Sequence, residues 1–181
     1  MSYFGIPAYR PQWISGRAAI ESAHGRRLAG LVGRRLSAAW LVWDRDADEW
    51  FRDCPVVLGF DGEQLEINHH KFDELSITWN QIDPVRTSTW SWGVDSGPEA
   101  HSFNLVWRRD AVPALAAFEG QLLGAVELLE WRPPHHDIAT GMVAVSFVFA
   151  DDRVTVSNAL DENGLEYGVP QADYIRRVLR A

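Results

Sequence analysis

Residues Leu28–Trp43, LAGLVGRRLSAAWLVW, lead through a polar loop to Val56–Ile67, VVLGFDGEQLEI. Residues Leu115–Glu130, LAAFEGQLLGAVELLE, lead through a second polar loop to Val145–Val156, VSFVFADDRVTV. Aligned, Gly33 falls on Gly120, Leu36 on Leu123, Phe60 on Phe149, Leu65 on Val154 and Ile67 on Val156. The offset is 87 residues before the loop and 89 after it, so the second loop is longer by two. Apolar matches arise easily by chance. The shared order of glycine, strand, loop, strand, turn and strand does not.

Each unit reads as a short helix ending near a glycine, followed by a three-stranded antiparallel meander. The glycine suits a left-handed helix end. The first strand covers Leu36–Trp43 in one unit and Leu122–Leu129 in the other. Asp61-Gly62 closes the first hairpin with strong turn chemistry, and Ala150–Asp152 closes the second with weaker chemistry. The pseudo-repeat units span about 28–75 and 115–165.

Further strands lie between the units. In ELSITWN, Leu75, Ile77 and Trp79 share one face. Ser88, Trp90 and Trp92 share a face in RTSTWSWG, as do Phe103, Leu105 and Trp107 in SFNLVW. RDAVPALAAFEG reads as a helix with Asp110 as N-cap and Pro113 in its first turn. SGRAAIESAHGRRLAGLVG reads as a helix broken near Gly25, and PQADYIRRVLR as a C-terminal helix. The expected fold is α+β: strand-dominated, with two related antiparallel meanders from an internal duplication, short peripheral helices, and one domain over residues 1–181.

Composition narrows the function. With 181 residues and 46% hydrophobic content, the chain can bury a sizeable core. No apolar run is long enough to span a bilayer, and the N-terminus lacks a leader pattern, so a bacterial-type cytoplasm is expected. Cys54 is the single cysteine, which leaves no intrachain disulfide and no cysteine-based zinc site. A net charge of −8 argues against nucleic acid. The charge is also uneven: residues 1–43 carry six arginines and one glutamate, whereas residues 44–74 carry ten acids and three bases. The acidic middle suits attraction of a cationic partner or plain solubility.

VSNALDENGLEY (Val156–Tyr167) raises the question of a metal loop. A calcium loop needs a ligand at position 159 and a closing glutamate at 170, where the chain has Ala159 and Pro170. Asn163-Gly164 reads instead as a turn requiring positive φ. Asp161 and Glu162 then match Asp73 and Glu74 at the end of the first unit, as solvated loops or as a paired acidic surface. His69-His70 and His135-His136 fall in expected loops, and neighbours on an extended chain diverge, so neither pair is assigned a metal. His101, Ser102 and Asp95 lack the nucleophile elbow of a hydrolase. No catalytic residue or cofactor is assigned. Of nine tryptophans, Trp40, Trp43, Trp79 and Trp107 read as core. Trp90 and Trp92, on a Ser/Thr-rich strand, and Trp50 in DADEWFRD are candidates for contact with a partner or ligand.

The GRRL unit, VVLGFDGEQLEI, LSITWNQIDP and FADDRVTVSNALDENG, taken across residues 28–167, resemble small acidic cytosolic proteins encoded beside bacterial polymorphic toxins. Many of those are immunity proteins that bind the toxin and block it. The resemblance has no signature residue, so no functional residue carries over. It implies a non-enzymatic protein that neutralises a cationic partner such as a basic toxin. The surface expected to do so comprises Asp46, Asp48, Glu49, Trp50, Phe51, Asp53, Asp73, Glu74, Asp161 and Glu162. The alternative is a β-protein that binds a small molecule or sugar through Trp90 and Trp92, and a hydrolase-like enzyme ranks last. Oligomeric state is open.

Overall fold

A computed structural model describes residues 3–94 and 101–180. Two antiparallel sheets form the body. The first sheet takes β1 (Trp13–Ser15), β2 (Leu36–Asp44), β3 (Glu49–Trp50), β4 (Val56–Phe60), β5 (Glu63–His70), β6 (Glu74–Trp79), β7 (Thr89–Val94) and β8 (His101–Arg108). Its order is β1-β6-β5-β4-β2-β8-β7, with β3 paired to β2. The second sheet takes β9 (Ala125–Trp131), β10 (Val143–Val148), β11 (Arg153–Asn158), β12 (Asn163–Tyr167) and β13 (Tyr174–Val178), in the order β12-β11-β10-β9-β13. Two helices, α1 (Arg17–Ala29) and α2 (Pro113–Ala116), complete the described elements of any length.

One core lies between the sheets. Alternation along β4 and β5 sends Leu58, Leu65 and Ile67 inward, and alternation along β9, β10 and β11 sends Val126, Leu128, Val145, Phe147, Val154 and Val156 to meet them. Phe60 and Phe147 face each other with centroids 6.0 Å apart. A second core covers the outer face of the first sheet. Tyr3, Phe4, Ile6 and Tyr9 lie over Val42, Val57, Leu105 and Trp107.

The sheets are joined where the sequence units align. Gly33 and Gly120 take φ of 84° and 87°, the left-handed region that glycine enters without steric cost. The Gly33 N–H donates to the Leu123 carbonyl, and the Gly120 N–H donates to the Leu36 carbonyl. Leu36 donates to Gln121, and Leu123 donates to Arg34. Arg35 pairs with Leu122 at the centre. Under the 87-residue offset each bond maps onto its reciprocal.

Several expectations change. PQADYIRRVLR forms β13, not a helix, because antiparallel pairing with β9 extends it. The strand expected at Leu122–Leu129 is β9 and starts at Ala125, since Gln121–Leu123 are held in the reciprocal junction. α1 runs unbroken through Gly25, which is buried beneath Leu179. Val112, not Asp110, occupies the N-cap of α2, and no side chain caps it. His69-His70 lie in β5, not in a loop. Asn163-Gly164 begin β12; the positive-φ turn falls at Leu160 and Asp161, with φ of 65° and 82°.

The second sheet curls. Four strand spacings in a flat sheet separate its edges by roughly 19 Å. Yet the Tyr174 hydroxyl on β13 reaches the Glu166 carboxylate on β12 at 3.4 Å. Inside this curl Glu127 is buried and paired with Arg153 at 2.7 Å and Arg176 at 3.0 Å.

Candidate protein-binding surface

The β2–β3 hairpin carries three of the acids. Trp43 pairs with Trp50 and Asp44 with Glu49 across it. Asp48 closes the turn with φ of 53°, a conformation that Asp tolerates better than most residues. Asp46, Asp48 and Glu49 are exposed. The tip is fixed by its neighbours. Asn104 on β8 donates to Asp46 at 2.8 Å, and its carbonyl oxygen accepts from Ser91. The Arg45 N–H donates to the Asn104 carbonyl, and the Asp46 N–H to the Asp44 carboxylate. The Trp43 indole N–H donates to Asp48 at 2.9 Å, and the Arg108 guanidinium sits 4.8 Å from the Trp43 ring centroid.

Trp50 and Phe51 are half-buried. Trp50 packs on the main core, with the Arg52 guanidinium 5.1 Å from its ring centroid. Its indole N–H is buried without an acceptor among the described residues. Phe51 packs into the second core, edge-on to Phe4 and Phe103. Both rings therefore support the hairpin and offer a partner only part of their surface.

The other acids meet where the two sheets touch. The 71–73 turn and the 158–162 turn lie side by side: the Lys71 N–H donates to the Asp161 carboxylate, and Asn158 donates to the Lys71 carbonyl. Arg52 reaches Glu162 at 3.4 Å, an exposed pair worth about 0–1 kcal/mol. Burial pushes the Asp53 carboxyl up, and the nearby Glu162 and Asp161 charges push the same way. Hydrogen bonds from His70 and Lys71 hold the Glu74 carboxyl below its ordinary range, while Asp73 is exposed.

Asn163, which sequence reasoning placed in a turn, anchors this junction. β4 begins at Val56, so β5 has no β4 neighbour alongside residues 68–70. The buried Asn163 side chain occupies that place. Its carbonyl oxygen accepts from the His69 N–H at 3.0 Å, and its amide donates to the Arg52 and Cys54 carbonyls and to Asn68. The available signal was the polar run EQLEINHH inside an otherwise apolar sheet, which needed internal partners.

Trp90 and Trp92 are half-buried in the second core. Trp90 donates to the Phe4 carbonyl at 2.9 Å, and Trp92 lies on Phe103 and Phe4. A cleft of about 340 Å³ opens nearby, lined by Ile6, Gln81, Ile82, Arg86, Thr87 and Trp107. His101 and Ser102 are exposed on β8, and Asp95 lies outside the described residues. His135 and His136 are exposed, and no group of three His, Cys, Asp or Glu placed to hold a metal ion occurs among the described residues. No described helix is long and apolar enough to cross a membrane. The chain matches no protein-family model, no curated protein and no solved structure.

Proposed function

We propose that this chain is a non-enzymatic protein-binding protein of the immunity type. It seats a cationic partner, such as a basic toxin, on the β2–β3 hairpin and the adjoining acidic turns. The observation that carries this reading is the hairpin tip. Asp46, Asp48 and Glu49 project from it, and Asn104, Trp43 and Arg108 hold its shape before any partner arrives. A preorganised charged surface loses little conformational entropy on binding and speeds encounter with an opposite charge. Trp43, Trp50 and Phe51 add partly exposed aromatic area beside those charges, the composition that interfaces favour.

The test is capture of the protein encoded by the neighbouring open reading frame, followed by association kinetics. Association should slow on the order of tenfold or more from low to high salt. The variant D46K/D48K/E49K should lose binding while keeping its fold by circular dichroism. A salt-independent association rate, or unchanged binding by the variant, overturns the reading.

The same proposal extends to ancestry: the two units descend from a duplication. Supporting it are the reciprocal bonds around Arg35 and Leu122 and the shared strand order, β6-β5-β4-β2 against β12-β11-β10-β9. Register agrees as well. Val56↔Ile67 and Leu58↔Leu65 map by 89 residues onto Val145↔Val156 and Phe147↔Val154.

A further inference from the structure

The acidic hairpin leaves unexplained the arginines of the first 43 residues and of RRVLR. The fold brings some of them together on other elements. The last turns of α1 and the end of β13 enclose a cleft of about 330 Å³, lined by Glu21, Gly25, Arg26, Arg177, Leu179 and Arg180. Three guanidinium groups and one carboxylate thus share one cleft on a chain of net charge −8.

The single carboxylate is already committed. Glu21 accepts from Arg177 at 2.8 Å, and Arg17 lies 3.7 Å from its other oxygen. Arg26 and Arg180 make no ion pair or side-chain hydrogen bond among the described residues. Leu179 is buried and gives the cleft an apolar base; it packs over Gly25, where a side chain would meet it. With Glu21 paired to Arg177 and close to Arg17, the cleft keeps a net positive charge beside an apolar wall, which favours an entering anion. The negative end of α1 accounts for an arginine at position 26. It gives no reason for Arg180, which follows β13.

We infer that this cleft binds a small oxyanion, phosphate or carboxylate, between the Arg26 and Arg180 guanidinium groups, with Arg177 of the same lining held by Glu21. Guanidinium forks match the paired oxygens of either group. This site shares no residue with the acidic hairpin and stands or falls independently of it.

Calorimetric titration at low salt with inorganic phosphate and pyrophosphate on one arm, and succinate and citrate on the other, tests the site and distinguishes the two sources. Saturable binding of at least one anion is expected, at one per chain. The variant R26Q/R180Q should weaken it tenfold or more. Arg86→Gln, which removes an arginine of the cleft beside Trp107 that makes no ion pair among the described residues, should leave it unchanged. Thermal melts check that both variants fold. Absence of saturable binding to any of the four anions, equal loss in Arg86→Gln, or retention in R26Q/R180Q overturns the inference.

Discussion

At Asn163 one carboxamide does the work of a strand that is missing, and its orientation constrains His69. The Asn163 amide nitrogen faces three oxygens, so its carbonyl oxygen must face the His69 ring. His69 Nδ1 is 3.1 Å from that oxygen, and Nε2 is 3.1 Å from the Val143 carbonyl. Both ring nitrogens face acceptors, yet a neutral imidazole carries one N–H. The second contact calls for a protonated ring, and burial opposes it, pushing the His69 pKa below its ordinary 6.5. Burial and then Arg27 lower the His24 pKa in the same direction. A folded value below the unfolded one means that the stabilisation is complete above 6.5 and is lost as pH falls from 6.5 towards the folded value. The raised Asp53 carboxyl works with the opposite sign, nearer the carboxylate range. Denaturant midpoints should therefore decline as pH drops below 6.5. Above the carboxylate range, part of the decline should survive in His24→Gln, and adding His69→Gln should remove that part; the lowered Glu63, Glu74 and Glu130 carboxyls add their own decline only at more acid pH. A midpoint that is flat or rises through this range would sink the assignment.

β12 shows what the sequence could and could not reveal at the level of an element. The meanders were legible because alternation in VVLGFDGEQLEI and VSFVFADDRVTV reports directly on which face is buried. Gly33 and Gly120 were legible as left-handed positions for a similar reason: the local conformation needs glycine. Asn163-Gly164 carries the same turn chemistry, but here tertiary demand wins. Asn163 is needed at the junction, and Gly164 is needed because β11 comes close. A Cβ at Gly164 would lie 2.8 Å from Ser157 Oγ and 3.3 Å from the Ala159 Cβ. β13 escaped sequence reading because YIRRV fits a helix as well as a strand, and only its pairing with β9 decides between them. The acidic residues were legible, but their division into a hairpin tip and an inter-sheet cluster was not, since it depends on contacts up to 110 residues apart. Gly164→Ala should cost about 1–3 kcal/mol in denaturant unfolding, the range for forcing an extra carbon into packed structure. Ser157→Ala removes the nearest obstacle, so the same substitution should cost less in that background. An equal cost in both backgrounds would mean that the close approach is not the cause.

Over the whole molecule, the two sheets share the main core, and only the first has a second, smaller core on its outer face. Leu58, Leu65 and Ile67 have Val126, Val145, Phe147 and Val156 as neighbours in one core, and α1 from the first half packs along β9 in the second. Arg17 on α1 pairs with Glu130 on β9 at 3.0 Å, and Asn163 closes the gap beside β5. Dividing the chain in the loop after β8, near Asp110, leaves each piece with a sheet whose apolar face is open to water. Fully exposing one Leu, Ile, Val or Phe side chain costs about 1.5–3 kcal/mol. The faces exposed here include more than six such residues, so the loss is at least about 9–18 kcal/mol, as large as the 5–15 kcal/mol that typically holds a domain together. Neither fragment should therefore fold alone. Mixed, they should reassemble, because the reciprocal Gly33–Leu123 and Gly120–Leu36 hydrogen bonds and the shared core lie across the cut. The intact chain should unfold in one transition, with tryptophan fluorescence, contributed mostly by the first half, and far-ultraviolet circular dichroism coinciding. A cooperative melt from the N-terminal fragment by itself, or two resolved transitions in the intact chain, would show that the halves have separate stability.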